Sequence, residues 1–243
     1  QAVEPIGDKP DCTTRFFDSS KGAKFDFFIV SAINSSCAFF DLVNEIESLK
    51  SQPKSIFRYA YEAQKLSLLN REGSKVNFGQ IQLLIPLITA HMLTAIEGKE
   101  FNSKMISLKT IDVLKNTTLN DIKDLEKFIK LGRSISYSHH IQTNKKRIEE
   151  KRFVRNEADK TVYDIANRYR YIHIIDEMIS GYPLSQKVCD YIKQNFDNGI
   201  IKCTEDVYED IRVKVGRFDA AADIIVIGIY LALFELQEEI IFK

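Results

Sequence analysis

The sequence predicts an all-α protein, a single compact domain of about eight to ten helices that spans residues 1–243. The 243 residues include only ten glycines and five prolines, which is few for a turn-rich β-protein. Apolar residues recur at three- and four-residue spacing over long stretches, a pattern typical of amphipathic helices. No segment sustains an alternation of polar and apolar residues between turn signals, so we do not expect a substantial sheet.

The N-terminal part is predicted to contain an extended loop and three helices. Residues 1–22 carry proline, glycine and a Ser-Ser-Lys-Gly cluster, and they read as the extended loop. An apolar stripe predicts the first helix over residues 23–49. Proline suits the first turn of a helix, so the second helix is expected to start at Pro53 and to reach Leu68. The third helix runs through Met92 and should be kinked or divided at Pro86.

The remaining chain is predicted to contain further helices separated by polar breaks. Thr118 and Asp121 resemble a capping box, and the helix that they start is expected to extend to Leu131. Residues 134–160 are polar and charged, and we favour a solvated loop there over a binding arm. The other helices are predicted at 157–180, at 185–196, at 204–215 with Thr204 as N-cap, and from Phe218 onward.

Composition narrows the classes of function. Thirty-four basic residues balance thirty-four acidic ones, whereas duplex-binding domains usually carry a net positive charge. Bulk nucleic-acid binding is therefore disfavoured, although a local phosphate pocket is not. Hydrophobic residues make up 44% of the chain, which argues against a largely disordered protein.

Cysteine usage and hydropathy favour a cytoplasmic protein that does not contact a membrane. The longest apolar run, Ile224–Phe234, is about half the length that a membrane helix needs, and it reads as a buried core helix. The cysteines form no CxxC pair and are expected to be buried, reduced thiols. They are Cys12, Cys37, Cys189 and Cys203.

The segment Gly73–Gly79 is the most informative part of the sequence for function. Two glycines bracket a short polar loop, and a long apolar helix starts directly after it. A helix N-terminus presents free backbone N–H groups and the positive end of a dipole, which suits phosphate. Lys75 would add a positive charge. The alternative interpretation is an ordinary turn between helices, with Asn77 as the N-cap.

This segment resembles the G-x-N-T-[NH]-[FK]-G motif and following helix of the triphosphoribosyl-dephospho-CoA synthases, the CitG-like family. Other short blocks resemble motifs of that family in the same order along the chain. They are Lys9-Pro10 with Arg15 and Asp18, Phe28–Ala32, Asp121–Leu131, Glu177–Tyr182 and Lys214–Gly216. The resemblance therefore covers nearly the whole chain, through short and loosely matched blocks.

The resemblance implies an all-α transferase that moves the triphosphoribosyl group of ATP to a dephospho-CoA-like acceptor and releases adenine. ATP is then a substrate, Mg²⁺ is expected to accompany it, and the partners are small molecules. Such a reaction needs cations or a metal on the phosphates and a carboxylate near the sugar or the acceptor hydroxyl.

Seven residues are implied in these roles by their positions in the matching blocks or near them. Lys9, Lys75 and Lys214 are candidates for phosphate contacts. Asn77 and the backbone of Gly79 are candidates to shape the nucleotide pocket. The carboxylate candidates, as metal ligands or as general base, are Glu62 and Glu177.

Departures from the family pattern support a second hypothesis. Lys75-Val76 stands where the family has Asn-Thr, and Tyr171-Ile172 stands where it has Arg-Asp. A relative that lost catalysis and serves as a helical nucleotide-binding or protein-interaction module would fit these changes. An unrelated helical bundle with coincidental motif matches is a third hypothesis.

Overall fold

The computed structural model describes residues 13–14, 23–69, 76–100, 102–136 and 160–241. These residues form ten α-helices and no strand, so the prediction of an all-α fold is confirmed. Two short 3-10 turns, Asn167–Tyr169 and Phe196–Asn198, lie between helices. The helices are α1 (Phe25–Leu49), α2 (Phe57–Ser67), α3 (Phe78–Ile96), α4 (Ser103–Lys115), α5 (Leu119–Ser136), α6 (Val162–Ala166), α7 (His173–Ile179), α8 (Pro183–Gln194), α9 (Ile200–Val215) and α10 (Phe218–Ile241).

Helix α2 starts later than Pro53 because a buried carboxylate sets its first turn. Asp121 Oδ1 accepts hydrogen bonds from the backbone N–H groups of Ile56 (2.7 Å) and Phe57 (3.3 Å). Its other oxygen accepts from the N–H of Thr118 at 2.9 Å, at the start of α5. One side chain therefore serves two helix N-termini, and the predicted cap at the start of α5 is present.

The predicted helix over 157–180 is wrong, because the chain is broken there into α6, a 3-10 turn and α7. Thr161 and Asp164 form a reciprocal capping box that starts α6. Arg170 then turns back onto α7, where its guanidinium donates to Asp176 and to the hydroxyl of Ser180. Ile172 is extended at the N-cap of α7, so the helix is not continuous there.

Helix α9 begins at Ile200 and not at Thr204. Gly199 takes a positive φ of 82° at the N-cap, a conformation that glycine adopts without steric cost. Thr204 lies inside the helix, where its hydroxyl donates to the carbonyl of Ile201 at 2.7 Å.

Helices α3 and α10 form the centre of the fold. Pro86 lies inside α3, and the helix continues past it as one element. Gly228 lets α8 pack closely on α10, because a Cβ at this position would lie 2.8 Å from the carbonyl oxygen of Ser185. The predicted last helix from Phe218 is confirmed, and most of its apolar run is buried.

Two helices, α1 and α3, are long and apolar enough to cross a membrane by length and composition alone. Two-thirds of the apolar window of α3 (67%) is buried inside the protein, as in the core helix of a soluble fold, whereas 28% of the α1 window is buried. Cys189 and Cys203 are buried free thiols as expected, but Cys37 is exposed on α1, and Cys12 lies outside the described residues.

Candidate functional site

The N-terminal end of α3 is built around a buried asparagine. Asn77 occupies the N-cap position in the left-handed conformation (φ 59°), and only 3% of its surface is exposed. Its side chain does not cap the helix. The amide nitrogen instead donates to the hydroxyl of Ser31 (3.0 Å) and to the carbonyl of Phe28 (3.4 Å), both on α1. Among the described residues, Asn77 Oδ1 has no hydrogen-bond partner.

Gly79 brings the first turn of α3 against the carboxylate of Asp223 on α10. A Cβ at position 79 would lie 2.7 Å from Asp223 Cγ, closer than real side chains approach. The predicted importance of Gly79 therefore has a steric basis, since no larger residue fits while Asp223 keeps this position.

The other side of the same turn is held by an aromatic pair. The ring of Phe78 stacks on that of Phe128 on α5, with centroids 4.2 Å apart. Gly132, one turn further along α5, leaves room for the ring, because a Cβ there would lie 2.6 Å from Phe78 Cδ2. The start of α3 is thus enclosed by α1, α5 and α10.

Charged residues gather where α9 turns into α10. The guanidinium of Arg217 donates to the carboxylate of Asp219 at 2.8 and 3.2 Å. This hydrogen bonding raises the pKa of Arg217 above its ordinary value, and the charge of Asp223 makes a smaller contribution in the same direction. Lys214 lies just before this turn and forms an ion pair with Asp210. Lys214 is thus on the chain segment that leads to Asp223, with its ammonium group already paired.

Glu177 is buried and serves as the cap of α8. Its carboxylate oxygens accept hydrogen bonds from the backbone N–H groups of Ser185 (2.7 Å) and Leu184 (3.2 Å). Burial raises the pKa of this carboxyl above its ordinary value, and the hydrogen bonds from α8 partly offset that effect. Glu177 lies close to α10, because the hydroxyl of Ser185 donates to the carbonyl of Ile224.

Glu62 lines a different part of the molecule, a pocket of about 440 Å³ between α1 and α2. Asp41 and Arg58 share this pocket, and Glu62 also pairs with Lys65 at 3.5 Å. The pocket is lined neither by Asn77 nor by Glu177. Since Asn77 contacts α1 at Ser31, ten residues before Asp41, the two places are separated by about 15 Å along that helix.

Lys9 and Lys75 lie outside the described residues, so their phosphate contacts stay predictions. In the part of the chain that the structure describes, no group of three or more His, Cys, Asp or Glu residues is arranged to hold a metal ion.

The sequence did not point to Ser31 and Asp223 as site residues, although the structure places both at the start of α3. It also did not point to Arg217, whose charge interacts with that of Asp223. Asp223 had a usable signal, because it is the charged residue directly before the apolar run of α10. A carboxylate next to a buried helix face is retained only where it has polar neighbours. Ser31 lies in the Phe28–Ala32 block that resembles a family motif, but its contact with Asn77 depends on the packing of α1 against α3.

Comparison with known proteins identifies a family. The sequence profile of the CitG family, ATP:dephospho-CoA triphosphoribosyl transferase, matches residues 7–207 of the 243. That range includes Glu62, Asn77, Gly79 and Glu177, whereas Lys214 and Asp223 follow it.

The fold has a counterpart among solved structures, a candidate triphosphoribosyl-dephospho-CoA synthase from Archaeoglobus fulgidus. The two share 16% identity and a TM-score of 0.58, and the similarity covers 85% of this chain and 98% of the archaeal one. At this identity the match supports the fold. No curated protein sequence is significantly similar to the chain. The profile match spans most of the sequence, and the chain therefore belongs to the ATP:dephospho-CoA triphosphoribosyl transferase family.

Proposed function

We propose that this protein binds ATP and transfers its triphosphoribosyl group to the ribose 2′-hydroxyl of a dephospho-CoA-like acceptor, releasing adenine. The observation that carries the proposal is the family profile, which matches 201 of the 243 residues. A catalytically degenerate relative is not favoured by so extended a match. Because ATP and dephospho-CoA are metabolites of the cytoplasm, we propose that location as well.

The start of α3 is the proposed site for the triphosphate. The first turn of a helix has backbone N–H groups without partners inside the helix, and its dipole favours negative charge. Helix α3 is 19 residues long, which suffices for a full dipole. Asn77 and Gly79, predicted to shape the nucleotide pocket, both belong to this turn.

Asp223 gives a physical reason for Mg²⁺ to accompany the substrate. Its carboxylate beside Gly79 would repel a bare triphosphate. Mg²⁺ is usually held by one or two carboxylates together with substrate phosphates, so a single carboxylate at this helix end fits the ion. When bound, the ion would neutralise phosphate charge, and Asp223 is the side chain that we expect to face it.

Deprotonation of the acceptor and binding of the phosphates also need protein groups. The acceptor hydroxyl must lose its proton to a base, and Glu62 and Glu177 stay the carboxylates proposed for that step or as metal ligands. Lys214 stays a proposed phosphate contact, which would require it to leave Asp210. For Glu177 to act, it would have to give up the N–H groups of α8.

The experiment is to incubate the purified protein with ATP, Mg²⁺ and dephospho-CoA and to measure adenine and the transferred product by liquid chromatography and mass spectrometry. We expect both products in equal amounts, and neither without the acceptor. Asp223→Asn should lower kcat/KM by roughly ten- to a hundred-fold, since charge placed for the phosphates is lost. Asp219→Asn, which changes an exposed neighbour, is the matched control.

A folded protein that releases no adenine would overturn the transferase proposal. Thermal-shift measurements with ATP and dephospho-CoA would then test whether the protein is a nucleotide-binding module that has lost catalysis. Such a module would be stabilised by the nucleotide without forming product.

A further inference from the structure

The amide of Asn77 has one fixed end and one end that the described residues leave unpaired. Its nitrogen faces the carbonyl oxygen of Phe28, which can only accept a hydrogen bond, so the amide cannot be flipped without loss. The oxygen Oδ1 is therefore the atom without a partner among the described residues. Asn77 is also almost fully buried, with 3% of its surface exposed.

A buried acceptor without a donor destabilises a folded protein, and such groups in native structures usually have a functional or solvent partner. Asn77 also has a positive φ of 59°, a conformation that asparagine adopts more readily than most other non-glycine residues. The unpaired acceptor therefore lies at the N-cap of α3, where the triphosphate is proposed to bind.

We infer that Asn77 Oδ1 accepts a hydrogen bond from a ribose hydroxyl of the nucleotide, and this inference rests on the proposed function. Phosphate oxygens are acceptors like Oδ1, so Oδ1 cannot bind the triphosphate directly, and we assign the Mg²⁺ to the charged carboxylate of Asp223. The adenine amino group is a donor, but it lies at the far end of the nucleotide from the phosphates. The ribose hydroxyls are the nearest donors to a triphosphate held at the start of α3.

Asn77 is then a specificity-determining residue that distinguishes ribonucleotides from deoxyribonucleotides. A site built to bond a substrate hydroxyl discriminates strongly against the analogue that lacks it, because the buried acceptor is then left unpaired. Ser31 acts as a positioning residue, since its hydroxyl holds the amide nitrogen and so orients Oδ1.

Isothermal titration calorimetry with Mg²⁺ and ATP, 2′-deoxy-ATP or 3′-deoxy-ATP tests the inference without requiring turnover. We expect the wild-type protein to bind one of the deoxy analogues roughly ten- to a hundred-fold more weakly than ATP, which also identifies the hydroxyl. Asn77→Gly keeps the left-handed backbone and removes the amide, so it should bind all three nucleotides with similar affinity. Ser31→Ala should reduce the discrimination while leaving Asn77 in place.

Three outcomes separate this inference from the proposed function. Equal binding of all three nucleotides by the wild type, or unchanged discrimination in Asn77→Gly, overturns the role of Asn77 even if adenine is released. If Asn77→Gly abolishes the discrimination between ATP and its deoxy analogues, and the wild type releases no adenine, the role of Asn77 is supported and the transferase proposal is overturned. A wild-type protein that binds no nucleotide overturns both.

Discussion

The carboxylate of Asp223 lies where a side chain at position 79 would have to go, so Gly79 and Asp223 restrict each other. A Cβ at Gly79 would lie 2.7 Å from Asp223 Cγ and 3.4 Å from its Cβ. The second distance is an ordinary contact, so the conflict involves the carboxyl group and not the backbone of α10.

Gly79→Ala should therefore destabilise the protein by about 1–3 kcal/mol, because Asp223 is forced out of its position. In an Asp223→Ala background the carboxyl group is gone, and the same Gly79→Ala change should be neutral or stabilising by up to about 1 kcal/mol, since alanine favours helix. Urea denaturation of the four proteins of this double-mutant cycle gives the coupling. Additive effects would show that the two residues do not compete for space.

Glu177→Gln should lower the free energy of unfolding by about 1–3 kcal/mol. Glutamine has one carbonyl oxygen, so one of the N–H groups of Leu184 and Ser185 would face an amide nitrogen and lose its acceptor. Glu47→Gln makes the same change at an exposed carboxylate on α1 and should cost less than about 0.5 kcal/mol. Equal losses in the two variants would contradict the capping role of Glu177.

His91 should make stability depend on pH in the acidic range. Burial lowers its pKa from 6.5 to about 4, and Nδ1 lies 2.8 Å from the hydroxyl of Tyr230. At a pH between the unfolded pKa of 6.5 and the folded pKa of about 4, the unfolded chain binds more protons than the folded one. The free energy of unfolding therefore falls as the pH drops from about 7 towards 4. The imidazole is partly exposed, so we expect a loss on the order of 2 kcal/mol.

The measurement is urea denaturation of the wild type and of His91→Phe at several pH values. Phenylalanine can keep the edge contact with Phe234 but does not titrate, so the difference in stability between the two proteins should change with pH only in this window. If the stability difference between the two proteins is constant from pH 4 to 7, the imidazole has the same pKa in the folded and unfolded states, which would contradict the prediction.

Asp121→Asn should destabilise the protein by about 1–3 kcal/mol. The two carboxylate oxygens of Asp121 accept from the starts of α2 and α5, and asparagine has only one side-chain oxygen, so one of these N–H groups would lose its acceptor. The exposed Asp112→Asn on α4 is the matched control and should change stability by less than about 0.5 kcal/mol. Chemical denaturation compares them, and a similar stability of the two variants would rule out the double cap.

Local chemistry explains which helix boundaries the sequence predicts. Thr118 and Asp121 are three residues apart, and their capping geometry is contained in that short segment. The start of α2 depends on the same Asp121 across more than sixty positions, so Pro53 was a misleading local signal. The break before α7 is likewise not marked by a local signal, and it lies at the extended N-cap residue Ile172.

The candidate site was only partly predictable for a similar reason. The Gly73–Gly79 segment marks the start of α3 by composition, and family resemblance directed attention to Asn77. Ser31 and Asp223 reach the same turn from helices at opposite ends of the sequence, and no spacing rule connects them. Glu177 was conspicuous as a carboxylate, but only the fold shows that α8 uses both of its oxygens.

The late position of α10 has a consequence for synthesis. A ribosome releases α3 long before it releases Asp223, so the newly made chain carries an exposed, incomplete start of α3 until the last helix docks. We therefore expect nucleotide affinity to appear only when translation is nearly finished, after the long-range contact has formed. With the proposed site at the start of α3, a chain halted before α10 should bind ATP more weakly than the full sequence.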